Sequence, residues 1–324
     1  MMPRIATLAF AALLAFNGAA SAQDKTWRHG IILAKSDAGI FFTITKKGFA
    51  EKEGLKVDLV QFKSDVIELQ ALIAGDIDSF DGGPGAAMAA AARGADVKVI
   101  GCEWPGVPYA VFAKSSIKSV PDLKGKLIAI SQPGANPDVV ARALLAKYGV
   151  PVDDVRFANL GGDLDRFKAV VAGVADATVV SNEYTPIAQQ QGLVTLALAK
   201  DLIPQFMRIC IFTTGKTVAT RGDDAAHFLA AEMAALKYAL SHREETIALT
   251  HAIIQDKPDD PRPAFIYDDA VKTNAIDPEM HIPMDKLKWM EEQALRDKVL
   301  PGPYDVSKMV DGSVREKALA LLAK

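Results

Sequence analysis

Segments of strand character and segments of helical spacing alternate along this chain, and the alternation runs twice. Residues 27–35 read as a strand that ends in the polar loop Lys35-Ser36-Asp37-Ala38-Gly39. A helical pattern over 40–53 stops at Gly54, and 57–62 is a second strand. Ser64 is placed to cap a helix over 65–74 that ends at Gly75. A short strand at 78–80 then meets Gly82-Gly83-Pro84-Gly85, an alanine-rich helix and a strand at 97–103. The pattern restarts with strands at 109–114, 127–131, 155–159 and 177–180, with helices over 136–148 and 163–172 between them. Strands and helices that alternate at this spacing predict α/β units, each a parallel sheet with helices on its faces.

Beyond residue 211 the pattern is mainly helical, over 223–240, 243–254, 284–298 and 306–322, with a proline-rich loop at 256–263. This tail has no α/β repeat of its own, so it is expected to cover the first unit. The chain would then cross between units twice, near 105–109 and near 207–212. Two crossings make a hinge, and a hinge makes a cleft that can close. The expected divisions are 1–22, then 23–108 as the first part of lobe 1, 109–211 as lobe 2, and 212–324 as the return to lobe 1. Such a length suits two domains rather than one core.

The N-terminus carries an export pattern. Arg4 precedes twelve residues, Ile5 to Phe16, in which Thr7 alone is polar, and Ala20-Ser21-Ala22 offers small residues for cleavage. The run is too short to span a bilayer. A cleavable signal over 1–22, a periplasmic location and a mature chain of 302 residues (22 fewer than 324) are expected. The chain has a formal net charge of −3, and without Arg4 it would be −4, so no basic excess points to nucleic acid.

Some chemistry is missing from the sequence. The five histidines, His29, His227, His242, His251 and His281, show no zinc-ligand spacing, and no nucleophile elbow or phosphate loop is present. No catalytic residue, metal or cofactor is expected. Cys102 and Cys210 both lie in apolar, strand-like stretches. They could pair in an oxidising compartment, but the preferred reading is two small buried hydrophobes.

Five stretches then carry a family resemblance. They are Gly48-Phe-Ala-Glu-Lys-Glu-Gly-Leu-Lys-Val-Asp, Leu69-Gln-Ala-Leu-Ile-Ala-Gly-Asp-Ile-Asp, Ala89-Ala-Ala-Ala-Arg-Gly-Ala-Asp-Val-Lys-Val-Ile, Ile117-Lys-Ser-Val-Pro-Asp-Leu-Lys-Gly-Lys-Leu-Ile-Ala and Ala169-Val-Val-Ala-Gly-Val-Ala-Asp-Ala. In order and spacing the chain resembles the periplasmic solute-binding proteins for nitrate, taurine and alkanesulfonates, and their relatives that bind thiamine pyrimidine precursors. The resemblance implies a type II periplasmic binding fold, two α/β lobes joined by two crossover strands. It also implies a receptor that hands a small molecule to the membrane permease of an ABC importer, without catalysis. A monomer is expected.

Ligands of open α/β sheets lie outside the carboxyl ends of the strands. In lobe 1 this rule selects Lys35, Asp37, Phe41, Ser64, Asp81, Gly82, Gly83, Glu103 and Trp104. In lobe 2 it selects Ser131, Asn136, Gly162, Glu183 and Tyr184. The glycines would let backbone N–H groups approach a ligand, or would simply allow tight turns. Asp81 would face the cleft or cap the next helix. Lys35, Lys63, Arg166 and Arg208 would suit an anion, whereas the acids Asp37, Asp81, Glu103 and Glu183 would suit amino donors. Acids beside Phe41, Trp104 and Tyr184 favour a planar nitrogen compound such as an aminopyrimidine. A sulfonate, nitrate or carboxylate is the alternative. An exported enzyme, or a ligand-sensing partner of a membrane kinase, is the alternative of another class.

Overall fold

The computed structural model describes residues 26–323, so the expected signal segment lies outside the described residues. Among the described residues, ten strands form two five-stranded sheets. The first contains β1 (Thr26–Ile32), β2 (Lys56–Phe62), β3 (Ser79–Gly82), β4 (Lys98–Trp104) and β10 (Ile209–Thr213), in the order β2-β1-β3-β10-β4. The second contains β5 (Tyr109–Lys114), β6 (Leu127–Ile130), β7 (Arg156–Asn159), β8 (Ala177–Ser181) and β9 (Leu193–Leu198), in the order β7-β6-β8-β5-β9. Two α/β lobes with helices on their faces are thus joined where β4 runs into β5 and where the chain returns to β10.

The sheets are mixed rather than parallel. β1 pairs in parallel with β2 and β3, and β6 with β7 and β8. β10 is antiparallel to β3 and β4, and β5 is antiparallel to β8 and β9. The exceptions β5 and β10 are the two strands that follow a crossing. Each enters its sheet from the hinge side, whereas the other strands aim their carboxyl ends there.

Local signals act as expected in several places. Ser64 Oγ accepts from the Ile67 N–H at the start of the helix Asp65–Ala74, and Gly75 ends that helix at φ +82°. The helix Asn136–Lys147 has Pro137 in its first turn, where no intrahelical N–H is needed. In the tail, the helix Gly215–Ser241 begins eight residues before its expected start, with Thr214 as cap. The expected loop 256–263 ends early because Arg262–Lys272 is helical, with Pro263 tolerated in its first turn. β9 was also not expected, since Leu193 to Leu198 lacks a polar-apolar alternation.

Cys102 and Cys210 form a disulfide, against the preferred reading of two separate thiols. They are 108 residues apart in sequence, but β4 and β10 are neighbours and bring them together. One apolar cluster runs from the first sheet (Phe80, Val99, Cys102) through Val107, Tyr109 and Phe206 at the crossings to the second (Val111, Ile128). A second cluster, including Trp27, Phe228 and Leu229, packs the other face of the first sheet against tail helices.

Candidate functional site

The carboxyl ends of the parallel strands face one another across a cavity of about 590 Å³ between the lobes. Eleven of the fourteen expected residues line it. Lys35, Asp37, Phe41, Asp81, Gly82 and Gly83 come from the first lobe, and Ser131, Asn136, Gly162, Glu183 and Tyr184 from the second. Ser64, Glu103 and Trp104 do not. The Ser64 hydroxyl is spent on its helix cap. Glu103 and Trp104 are fully buried one layer below. Trp104 stacks on Phe41 at 5.7 Å, and the Arg208 guanidinium covers it at 4.1 Å. Trp104 therefore forms the floor under groups that line the cavity.

The glycine loop also differs from expectation. A Cβ on Gly82 would meet the Phe80 ring at 2.6 Å, so that glycine serves packing. A Cβ on Gly83 would fall 1.9 Å from Asn136 Oδ1 in the opposite lobe. The close approach that Gly83 permits is between the lobes.

Other contacts cross the cleft. Lys35 Nζ lies 2.7 Å from Asp163 Oδ2, and Ser36 Oγ donates to Glu183 Oε1 at 3.0 Å. Asn136 Nδ2 donates to the Arg208 carbonyl at the second crossing, 2.8 Å away. Arg166 pairs with Asp163 from within lobe 2, and Arg208 Nη2 reaches Asp37 Oδ2 at 2.5 Å. Arg262 binds Asp260 at 2.6 Å and lies over the Tyr184 ring. Lys63 is exposed at the rim. Burial opposes ionisation of Asp163, but Lys35 and Arg166 outweigh it and hold its carboxyl far below the usual range. Burial likewise opposes the Arg208 charge, and Asp37 outweighs it.

The cavity acids are less well served. Burial pushes Glu183 up to about 7, and its Oε2 has no hydrogen-bond partner. Burial pushes Asp65 up to about 6 against the opposing hydrogen bond from the Gly83 N–H. Burial pushes Asp81 up to about 7 as well. The cavity therefore has its buried cations largely matched and its acceptors in excess.

Sequence reasoning missed several lining residues. Tyr109 stands at the first crossing, where the hinge expectation could have flagged it. Gln255, Asp256 and Arg262 come from the tail, which no strand-end rule addresses.

Asp81 also belongs to a buried layer that no local motif marks. His29 on β1, Asp81 on β3 and Glu232 on the helix Gly215–Ser241 are all buried, and one donor atom from each lies within 4.8 Å of the others. Burial drives His29 down to about 3, so its ring is neutral. Burial also raises Glu68, Glu103 and Glu232 well above the carboxylate range, with neighbouring acids adding to it. Three residues from three distant elements leave no spacing for a motif to show.

The comparisons with known proteins agree with this architecture. The alkanesulfonate-binding protein SsuA from Xanthomonas axonopodis pv. citri, solved bound to MOPS, superposes with a TM-score of 0.74 at 19% identity, over 90% of this chain and 99% of that one. The periplasmic nitrate-binding protein NrtA from Synechocystis PCC 6803 superposes with a TM-score of 0.74 at 17% identity, over 93% and 90%. These likenesses show the type II periplasmic binding fold. A Brucella abortus protein named "Putative binding protein" is 34% identical over 160 residues, 49% of each chain. The aligned region thus spans about half the length of the curated relatives. The family model described as NMT1/THI5 like matches residues 36–246, well over half of the chain. The chain belongs to the NMT1/THI5-like family.

Proposed function

We propose that this protein is the periplasmic solute-binding receptor of an ABC importer, and that it captures a small planar nitrogen compound of the aminopyrimidine type between its lobes. The observation that carries this reading is the imbalance of the cavity. Lys35, Arg166 and Arg208 are each paired with an acid, whereas Glu183 keeps an unpartnered Oε2 and stands among the lining acids Asp65 and Asp81. A ligand rich in N–H donors supplies what those acceptors lack. Phe41 and Tyr184 provide aromatic walls. The names of the sulfonate- and nitrate-binding relatives support the receptor role, and the role requires closure rather than turnover.

One observation favours a second reading, an anionic ligand. Arg208 Nη1 is buried without a hydrogen-bond partner beside the cavity, where a sulfonate or carboxylate oxygen could accept from it. Melting curves with aminopyrimidines, alkanesulfonates, nitrate and carboxylates separate the two. Binding to the folded form raises stability by RT ln(1 + [L]/Kd), about 2.7 kcal/mol at a hundredfold excess over Kd. A shift with the nitrogen compounds alone supports the first reading. A shift with the anions alone replaces it with the second. Turnover of any bound compound would sink both.

A further inference from the structure

We propose that His29, Asp81 and Glu232 form a buried site for one divalent transition-metal cation beneath the cleft. The three donors converge from β1, β3 and a tail helix, elements that the first lobe packs together in its core. All three residues are at most 2% exposed. His29 Nε2 lies 3.0 Å from Asp81 Oδ1, but neither atom is in hydrogen-bond geometry, and Glu232 Oε2 also lacks a partner. Unsatisfied donors and acceptors aimed at one point in a core are costly, and the cost disappears when a cation takes the lone pairs.

The histidine is oriented as a metal ligand would be. Its Nδ1 is held 2.7 Å from Ser79 Oγ, and Trp27 Nε1 anchors that hydroxyl at 2.7 Å. This leaves Nε2 as the atom turned toward the carboxylates. A fixed outer hydrogen bond on the second ring nitrogen is the usual support of a ligating imidazole. Donor atoms around a tetrahedral cation with bonds of 2.0–2.2 Å stand about 3.3–3.6 Å apart. The present spacings, from 3.0 Å between His29 Nε2 and Asp81 Oδ1 to within 4.8 Å across the group, bracket that range. One imidazole and two carboxylates suit zinc, manganese or cobalt, whereas calcium needs six to eight oxygens. Glu103, whose two carboxylate oxygens are also buried without a partner, lies outside this group of three.

The alternative occupant of this layer is a set of protons on its carboxyl groups. The two states are distinguishable. Untagged protein purified without chelator should contain one equivalent of metal by elemental analysis. Protein stripped with chelator under denaturing conditions and refolded should melt lower, and Zn(II) should restore it. Co(II) should give a visible absorption band that saturates at one equivalent. Glu232→Gln and His29→Gln should lose the cobalt band. Metal-free wild-type protein that no Zn(II), Mn(II) or Co(II) addition stabilises overturns the proposal and leaves the protonated cluster. Full cobalt binding in both variants overturns it too. If the variants do not fold, the wild-type metal content and cobalt titration decide. None of these readouts depends on the organic ligand, so this result and the ligand screen fail separately.

Discussion

Lys35 Nζ in the first lobe and Asp163 Oδ2 in the second stand 2.7 Å apart across the cleft, and Arg166 pairs with the same carboxylate. Asp163→Asn would leave two cations facing a neutral amide. Both lobes can part and hydrate those cations, so the loss of stability should be about 1–2 kcal/mol, below the range for a fully buried pair. Small-angle scattering should show a larger radius of gyration for the ligand-free variant. An unchanged radius and an unchanged urea midpoint would show that the pair does not hold the lobes together.

Gly83 is a second point of contact between the lobes. In Gly83→Ala, the new methyl would fall 1.9 Å from Asn136 Oδ1. The lobes could not reach their present approach. Ligand affinity should drop at least tenfold, about 1.4 kcal/mol, with little change in the melting temperature of the ligand-free protein. Isothermal titration with whichever ligand the screen identifies measures this. Equal affinity would mean that ligand is held without this closure.

The Cys102–Cys210 disulfide ties β4, which leads into the first crossing, to β10, which leaves the second. It closes a loop with a sequence separation of 108, which contains the whole second sheet. Constraint of the unfolded chain on that scale is worth about 4.7 kcal/mol. The Cys102→Ser/Cys210→Ser double variant should lose several kcal/mol in urea unfolding, and reduction of the wild type should approach the same midpoint. A variant as stable as the wild type would reduce the bridge to a packing contact.

Glu183 links stability to pH. Burial raises its folded pKa to about 7, above the ordinary glutamate value of 4.5. Below the unfolded pKa, the group is protonated in both states and imposes no penalty. Between about 4.5 and about 7, the unfolded chain gives up the proton while the folded protein keeps it, so stability falls as pH rises. Urea midpoints measured across this window should decline less steeply in Glu183→Gln than in the wild type. Parallel slopes would show that Glu183 does not contribute.

Much of the scaffold could be read because its signals are local. Ser64 and Gly75 mark the ends of a helix within a few residues, and the strand-helix spacing reports the α/β class. The strand-end rule placed eleven residues at the cavity because a carboxyl end is itself a feature of chain order. It failed for Glu103 and Trp104 because β4 is an edge strand of its sheet. There, the Arg208 guanidinium and the Phe41 ring cover the end of the strand.

Chain order and periodicity were thus sufficient for the two rounds of α/β structure, the two crossings and the cleft between them. Which charges cancel could not be read that way. Asp37 meets Arg208 across 171 residues, Lys35 meets Asp163 across 128, and His29 meets Asp81 and Glu232 from three separate elements. Such pairings follow from sheet order and lobe packing, which bring distant side chains within a few ångströms. Charge balance at that range sets what the cavity can hold, and it exists only once the chain has folded.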